Sequence, residues 1–285
     1  MKHLIRKIFI PIFDYINIIY ASILWSGNLK NYEKSLSKTQ SKKILILSPH
    51  HDDETIGMGA TINFLSKNNN IDIIFATNGN LTDNKYFPEN ISYIRIQESN
   101  EVSKLLGVKN LTNWNFTNTT LNNNIVRLHQ LISDKIRSGS YDIIFAPSLS
   151  EGTSDHRTLT LELLHSVIKN KVDSKIYFYD INNSIPLECA TDIVEFSKEE
   201  ILFKKELYSH YGSQIFIDFG FLNKIDVVKG AEYFYRVDDA KELLERYKKY
   251  GSCIDLKVTT SSTHFIRNMN YNRKHCYSKI KNILK

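Results

Sequence analysis

Apolar residues in the middle of the chain follow two alternating patterns. Four short and mostly apolar runs predict buried strands, at 43–47, 71–76, 141–146 and 175–179, and the mixed run at 111–116 (LTNWNF) predicts a further strand. Four segments with apolar residues at helical spacing predict helices, at 55–67, 91–106, 125–137 and 157–169. Strands that alternate with helices form crossovers and a parallel sheet. The chain is therefore expected to be an α/β protein, a doubly wound sandwich with a mostly parallel central sheet.

The amino-terminal end departs from this pattern. Residues 8–25 are rich in apolar and aromatic side chains, but Pro11, Asp14 and Asn17 interrupt them, and basic residues lie on both sides. A carboxylate near the centre of a spanning helix costs about 2.5–3.5 kcal/mol on insertion scales. The segment is thus expected to lie on an anionic membrane surface or to pack on the protein's own body, and not to cross a bilayer.

The carboxyl-terminal end is basic, and from residue 259 onwards it contains no acidic side chain. Its apolar residues are sparse, apart from a short predicted helix at 277–284. We therefore predict an apolar and basic extension at 1–40, a central α/β domain at 41–258 and a basic extension at 259–285.

Composition narrows the class of protein. Hydrophobic residues make up 42% of the 285 residues, enough to bury a sizeable core, which excludes a disordered chain. The net charge of +6 is a mild excess, so we expect no nucleic-acid partner. Three cysteines without a CxxC pair exclude a disulfide scaffold and favour a reducing cytoplasm. The predicted location is cytoplasmic, with peripheral contact at the inner face of the membrane if residues 8–25 bind lipid.

Polar side chains follow three predicted strands, in residues 48–54, 77–79 and 148–156. The carboxyl ends of parallel strands meet at one edge of a sheet, where α/β proteins bind their ligands. His50 and Asp53 are three residues apart, so that one turn can aim both at a point that His156 reaches from another loop. Two imidazoles and a carboxylate with an open fourth position are typical of a catalytic Zn²⁺ site. A neighbouring carboxylate in residues 48–54 can then hold and deprotonate a water molecule.

Two other interpretations of this cluster are available. One is an ion-pair network without a metal. The other is a non-catalytic nucleotide-binding protein, but residues 57–59 (GMG) lack a third glycine at the required spacing, and the acidic run would repel a pyrophosphate. We interpret four further histidines as ordinary solvated or structural residues, namely His51, His129, His165 and His264.

The run at 49–54 (PHHDDE) resembles the AHPDDE signature of the PIG-L/LmbE-like N-deacetylases. Four further stretches resemble motifs of that family in the expected order: 77–79 (TNG), 95–98 with 106–108 (RIQE…LGV), 155–156 (DH) and 211–214 (YGSQ). The resemblance covers about residues 43–236. It implies a Rossmann-like fold and a zinc-dependent hydrolase that removes the acetyl group from an N-acetylated amino sugar of the GlcNAc type, free or in a glycolipid or surface-glycan precursor.

The resemblance also implies roles for individual residues. It makes His50, Asp53 and His156 the zinc ligands, Asp52 the general base and Arg95 a substrate-binding residue. The substrate would be a small or lipid-linked amino sugar. A zinc amidase acting on a thiol–sugar conjugate or another small amide remains an alternative, because the motifs specify neither the sugar nor its carrier.

Two positions depart from the family pattern. His51 occupies the place of a proline, in a loop that tolerates the change. The second motif is ordinarily H-P-D-H, and Thr153 stands where its first histidine helps to stabilise the tetrahedral intermediate. The Thr153 hydroxyl, His210 or Tyr211 is expected to take that role. Four candidate substrate-binding residues follow: Arg95, Thr153, Asp155 and His210.

Overall fold

The computed structural model describes residues 32–80, 89–251 and 277–285, and nine residues of the amino-terminal segment, namely 12, 15, 16, 18, 19, 21–23 and 25. Within this part of the chain the strands form one seven-stranded sheet in the order β3-β2-β1-β4-β5-β7-β6. The strands are β1 (Lys43–Ser48), β2 (Asn70–Thr77), β3 (Asn110–Phe116), β4 (Ile143–Pro147), β5 (Lys175–Tyr179), β6 (Asp192–Glu195) and β7 (Ala231–Val237).

Helices cover both faces of the sheet. They are α1 (Asp53–Leu65), α2 (Ile91–Leu105), α3 (Ile125–Gly139), α4 (Ser154–Asn170), α5 (Lys198–Ser209), α6 (Phe219–Lys229), α7 (Ala240–Tyr250) and α8 (Tyr277–Leu284). Short 3₁₀ turns lie at Leu36–Lys38 and Leu121–Asn123. The helix predicted near the carboxyl terminus is thus present as α8.

The first five strands are parallel, whereas β7 pairs antiparallel with both β5 and β6. The predicted α/β class and mostly parallel sheet are therefore confirmed. The periodicity of the sequence did not reveal β6, β7 or the helices α5 to α7. The helices α5 to α7 are shorter than the four helices before residue 180, and β6 has only four residues.

Consecutive apolar residues in the strands reflect a sheet that is buried on both faces. Leu45 and Leu47 of β1 lie in one core with residues of α3, α4, α7 and α8. Ile44 and Ile46 point to the other face, into a core with residues of α1, α2 and α5. Successive side chains of a strand point to opposite faces, so a strand covered on both sides has no polar face.

Helix α1 lies unusually close to the end of β5. A Cβ atom at Gly57 would overlap the Tyr179 ring and lie 2.7 Å from the carbonyl oxygen of Asp180, so this position admits only glycine without a shift. One residue later α1 is interrupted, because Met58 has φ −151° and ψ 26°. The first turn of α1 is therefore a short unit, packed against the carboxyl edge of the sheet and separated from the rest of the helix.

The described residues of the amino-terminal segment have two kinds of surroundings. Ala21 and Trp25 are buried against Phe221 and Ile225 of α6. Five large apolar or aromatic residues in helical positions of this segment are exposed: Ile12, Tyr15, Ile16, Ile19 and Ile23. No helix in the described part of the chain is both long and apolar enough to cross a membrane. The rest of residues 1–31 and residues 252–276 lie outside the described part, and the predicted boundaries of both extensions stay predictions.

Candidate metal centre and active site

The candidate site lies where the sheet order changes direction. β1 and β4 are adjacent parallel strands, and the chain leaves them towards opposite sides of the sheet order. The loop after β1 carries His50, and α4, which follows β4, begins with a turn that carries His156. Two residues that are 106 positions apart are brought together in this way. Such switch points are where doubly wound sheets form binding crevices.

His50, Asp53 and His156 converge on one point. One ligand atom from each residue lies within 4.8 Å of the others. His50 Nδ1 is 2.9 Å and His156 Nε2 is 3.2 Å from Asp53 Oδ2, and the two ring nitrogens are 3.3 Å apart. Two imidazoles and a carboxylate at these separations can hold a divalent cation after small adjustments of the side chains.

A carboxylate stands behind the first imidazole. Asp155 Oδ2 lies 3.4 Å from His50 Nε2, the ring nitrogen that faces away from the cluster. Asp155 is fully buried and accepts hydrogen bonds from the backbone N–H groups of Thr119 and Leu121, at 2.6 and 3.2 Å. A carboxylate in this position fixes the orientation of a ligating imidazole. Asp155, a predicted substrate-binding residue, therefore lies where it can orient the His50 ring.

A second carboxylate stands behind the other imidazole. Glu151 Oε2 lies 3.3 Å from His156 Nδ1, on the side opposite to Asp53. Glu151 is fully buried and accepts hydrogen bonds from the backbone N–H groups of residues 181–183, just after β5. Glu151 is not among the residues predicted from the sequence, where its only signal is an acidic side chain five positions before a predicted ligand.

The buried charges of the cluster shift the pKa values of its three members. Burial by itself lowers the pKa of both imidazoles, but Asp53 and the carboxylates behind the rings raise it, to about 10 for His50 and about 9 for His156. Burial raises the pKa of Asp53, and the two histidines lower it well below its usual range. Two protonated imidazoles around one carboxylate form a site where a cation can replace protons.

Asp52 is the candidate proton acceptor. Its exposed fraction is 2%, and its Oδ2 atom has no hydrogen-bond partner among the described residues. Burial, and secondarily the charge of Asp53, raise the pKa of Asp52 to about 8. A carboxylate with a free oxygen and a pKa near neutrality is suited to general acid–base chemistry.

Arg95 and His51 flank Asp52 and are buried. Arg95 donates from Nη1 to the carbonyl oxygen of Gly79 at 2.5 Å, which ties α2 to the turn after β2. Its charge opposes the rise in the pKa of Asp52. His51 Nε2 lies 2.8 Å from Asn113 Oδ1, and burial lowers the pKa of His51 to about 4, so its ring is neutral.

The three residues considered for the role of the absent histidine are placed differently. Thr153 is the partly exposed residue just before α4, three positions from His156. His210 lies outside the cluster, with Nδ1 3.4 Å from Glu101 Oε2. Tyr211 is buried, and its hydroxyl is engaged with Thr55 and Glu54 at 2.8 and 3.1 Å. Of the three, Thr153 is the residue next to the element that carries a candidate ligand.

Comparison with known proteins supports the relationship indicated by the motifs. Residues 45–166 match the family model described as PIG-L: GlcNAc-PI de-N-acetylase. The matched range includes both loops of the candidate metal centre, and it confirms the resemblance predicted from the sequence.

Two of the proteins similar to this chain are named as diacetylchitobiose deacetylases. The chain is 33% identical over 84 residues to a diacetylchitobiose deacetylase of Thermococcus kodakarensis, in a match that spans 28% of this chain and 31% of that protein. The crystal structure of N,N'-diacetylchitobiose deacetylase from Pyrococcus horikoshii has a TM-score of 0.58, with 24% identity over 73% of this chain and 88% of that one. A conserved protein of Thermus thermophilus has a TM-score of 0.55, with 19% identity over 68% of this chain and 94% of that one. The solved structures establish that the fold is shared.

Proposed function

We propose that this protein is a zinc-dependent hydrolase that removes the acetyl group from an N-acetylated amino sugar. The observation that carries the proposal is the convergence of His50, Asp53 and His156 next to Asp52, whose buried Oδ2 atom has no hydrogen-bond partner in the described part of the chain. A carboxylate also stands behind each imidazole of the cluster. Metal-ligating histidines in proteins nearly always have such partners, whereas a simple ion-pair network does not need them.

Zn²⁺ is the metal that this donor set fits best. Two imidazole nitrogens and one carboxylate are the protein ligands of many catalytic zinc sites, and sites for Mg²⁺ or Ca²⁺ use oxygen ligands instead. When bound, zinc would polarise the acetyl carbonyl and lower the pKa of water to about 7. His50, Asp53 and His156 would hold the ion.

Asp52 carries out the proton transfers in this proposal. Its Oδ2 atom accepts a proton from the water that attacks the acetyl carbon, and it then delivers that proton to the departing nitrogen. The amide C–N bond breaks to give acetate and a free amine. Because Asp52 is buried, its carboxylate is shielded from solvent that would compete for the proton.

An amino-sugar substrate is favoured by the relatives. The family description names a GlcNAc-linked phosphatidylinositol, and two relatives are named as deacetylases of diacetylchitobiose. All of these compounds carry a 2-acetamido sugar. Thr153 is the proposed neutral hydrogen-bond donor to the developing oxyanion, because it stands at the start of α4.

Metal analysis and acetate release test the proposed function together. Purified protein is expected to contain about one equivalent of zinc and to release acetate from N-acetylglucosamine, diacetylchitobiose or a GlcNAc-phosphatidylinositol. Chelation should abolish turnover, and added Zn²⁺ should restore it. Turnover of a thiol–sugar amide without release from any N-acetylhexosamine would instead identify an amidase. A protein that binds no divalent metal would contradict the proposal.

We also propose that the exposed apolar residues near the amino terminus contact an anionic lipid surface. Ile12, Ile16, Ile19 and Ile23 are spaced by three or four residues, so they share one helical face, and all are exposed. The segment also contains few acidic residues, and basic residues precede and follow it. Apolar burial and attraction to anionic headgroups together favour binding in the plane of the interface.

Serine substitutions on this face test the lipid proposal. The triple variant I16S/I19S/I23S is expected to lose sedimentation with phosphatidylglycerol vesicles, while deacetylation of a soluble substrate stays unchanged. A matched control replaces three exposed apolar residues on other helices: Val126, Leu202 and Val227. Deletion of residues 1–30 is a poorer test, because it also removes Ala21 and Trp25 from the core. Wild-type protein that does not sediment with anionic vesicles would contradict the proposal.

A further inference from the structure

The interruption of α1 at Met58 leaves backbone groups without their usual helical partners. In a continuous helix the N–H groups of Ala60 and Thr61 would donate to the carbonyl oxygens of Ile56 and Gly57. Here both N–H groups donate to the Glu232 carboxylate of β7, at 3.1 and 2.7 Å. A side chain that is distant in the sequence therefore completes the second part of the helix.

A second side chain completes the other side of the interruption. Lys204 of α5 donates from Nζ to the carbonyl oxygen of Ile56 at 2.8 Å. The same Nζ atom lies 2.9 Å from Glu232 and 3.2 Å from Asp226. Lys204 and Glu232 thus form a clamp across the interruption. Lys204 binds the carbonyl group of Ile56 before the interruption, and Glu232 binds the N–H groups of Ala60 and Thr61 after it.

The Lys204–Glu232 clamp is fully enclosed. The side chains of Lys204 and Glu232 are each 1% exposed. Burial lowers the pKa of Lys204, but Asp226 and Glu232 raise it above its usual value, so the ammonium group stays charged. A buried ion pair is often no more stabilising than apolar residues of the same size, so stability alone does not account for it.

The clamp is connected to the candidate metal centre by the first turn of α1. The N–H of Ile56 donates to the carbonyl oxygen of Asp52 at 2.9 Å, while the carbonyl of Ile56 accepts from Lys204. Asp53, a candidate ligand, is the first residue of the same turn. Displacement of Ile56 would therefore move both Asp52 and Asp53 relative to His156, which is carried by a different element.

We propose that Lys204 and Glu232 are positioning residues that hold Asp52 and Asp53 in the geometry required for metal binding and proton transfer. This inference rests on the proposed metal-dependent function. The clamp couples α5 and β7, which precede and follow α6, to the helix that starts with a ligand. Its members act on the metal ligands through the backbone of α1.

Glu232→Gln is the most informative change, because the carboxylate accepts from donors at both of its oxygens. Ala60 N–H and Lys204 face Oε1, and the N–H and hydroxyl of Thr61 face Oε2. The amide of glutamine has the same shape but must direct its NH₂ group towards one of these pairs. We expect the Zn²⁺ dissociation constant to rise on the order of tenfold. The visible absorption bands of the Co²⁺-substituted protein should shift, because the ligand geometry changes.

A matched control separates positioning from general destabilisation. Asp72 is a buried carboxylate at the amino ends of the strands, and it too accepts from donors, namely Asn110, Lys135 and Tyr141. Asp72→Asn should lower the thermal midpoint without changing the Zn²⁺ affinity or the Co²⁺ spectrum. Should Glu232→Gln fail to fold, Glu232→Asp keeps the charge but is too short to reach all its donors, and an intermediate loss of affinity is expected.

The outcomes distinguish this inference from the proposed function. Affinity is measured by competition with a chromophoric chelator, without substrate. Unchanged Zn²⁺ affinity and an unchanged Co²⁺ spectrum in Glu232→Gln or Glu232→Asp, with a thermal midpoint lowered as in Asp72→Asn, would overturn the positioning role alone. A wild-type protein that binds no divalent metal would overturn the proposed function and this inference together.

Discussion

Asp52→Asn is expected to lower kcat by about 10²–10⁴-fold while the zinc content stays at the wild-type level. Asparagine has nearly the same shape and can still accept a hydrogen bond from water, but it cannot accept a proton. Asp52 is not one of the three converging residues, so its amide should leave the metal centre intact. The measurement is acetate release at saturating substrate, with metal content determined on the same sample.

A different outcome of the Asp52→Asn experiment would identify another proton acceptor. Near-normal acetate release by Asp52→Asn would mean that another group accepts the proton. His51 would be the next residue to test, because its ring is neutral and its Nδ1 atom has no hydrogen-bond partner among the described residues. Asp72→Asn, the same chemical change at the other end of the strands, serves as the control for a general loss of stability.

His156→Ala is expected to abolish both metal binding and turnover. His156 lies in contact with Asp53 and His50, so its removal leaves only two ligands from one loop. Changes in the groups behind metal ligands already weaken binding by about 10–100-fold, so loss of a ligand should exceed that range. Zinc content and acetate release are measured after dialysis against a weak chelator.

His129→Ala is the matched control for the loss of His156. His129 is also a histidine paired with a carboxylate, but it is a residue of α3 whose Nδ1 atom lies 3.1 Å from Glu162 of α4, and it is not part of the cluster. This variant should keep zinc and activity. Retention of one equivalent of zinc by His156→Ala would show that the metal is held elsewhere.

The sequence predicted the strands that carry the site because those strands are buried on both faces. Runs such as 43–47 and 71–76 have almost no polar positions, and short runs of this kind are typical of buried parallel strands. The three converging residues could also be predicted, since parallel strands place their carboxyl ends at one edge. The position of His156 next to His50 follows from the pairing of β1 with β4. The sequence alone does not specify which strands are neighbours in the sheet.

Other features could not be predicted from local patterns. The role of Glu151 depends on the backbone of residues 181–183, which a separate strand brings towards it. The Lys204–Glu232 clamp depends on an interruption in α1 that neither GMG at 57–59 nor the helical spacing specifies. In each case a buried polar side chain satisfies backbone groups that are distant in sequence. Such pairings follow from the packing of elements and leave no periodic signal.

The separation of the three candidate ligands along the chain has a consequence for how the proposed metal site would form during synthesis. During translation His50 and Asp53 emerge from the ribosome about one hundred residues before His156, which lies 106 positions after His50. Until β4 pairs with β1, the nascent chain offers only a two-ligand site, which holds zinc weakly compared with the complete set. In the proposed zinc enzyme, tight binding of the metal would therefore follow the pairing of β4 with β1. If the chain is the proposed zinc enzyme, retention of the metal would then report that β1 and β4 have paired.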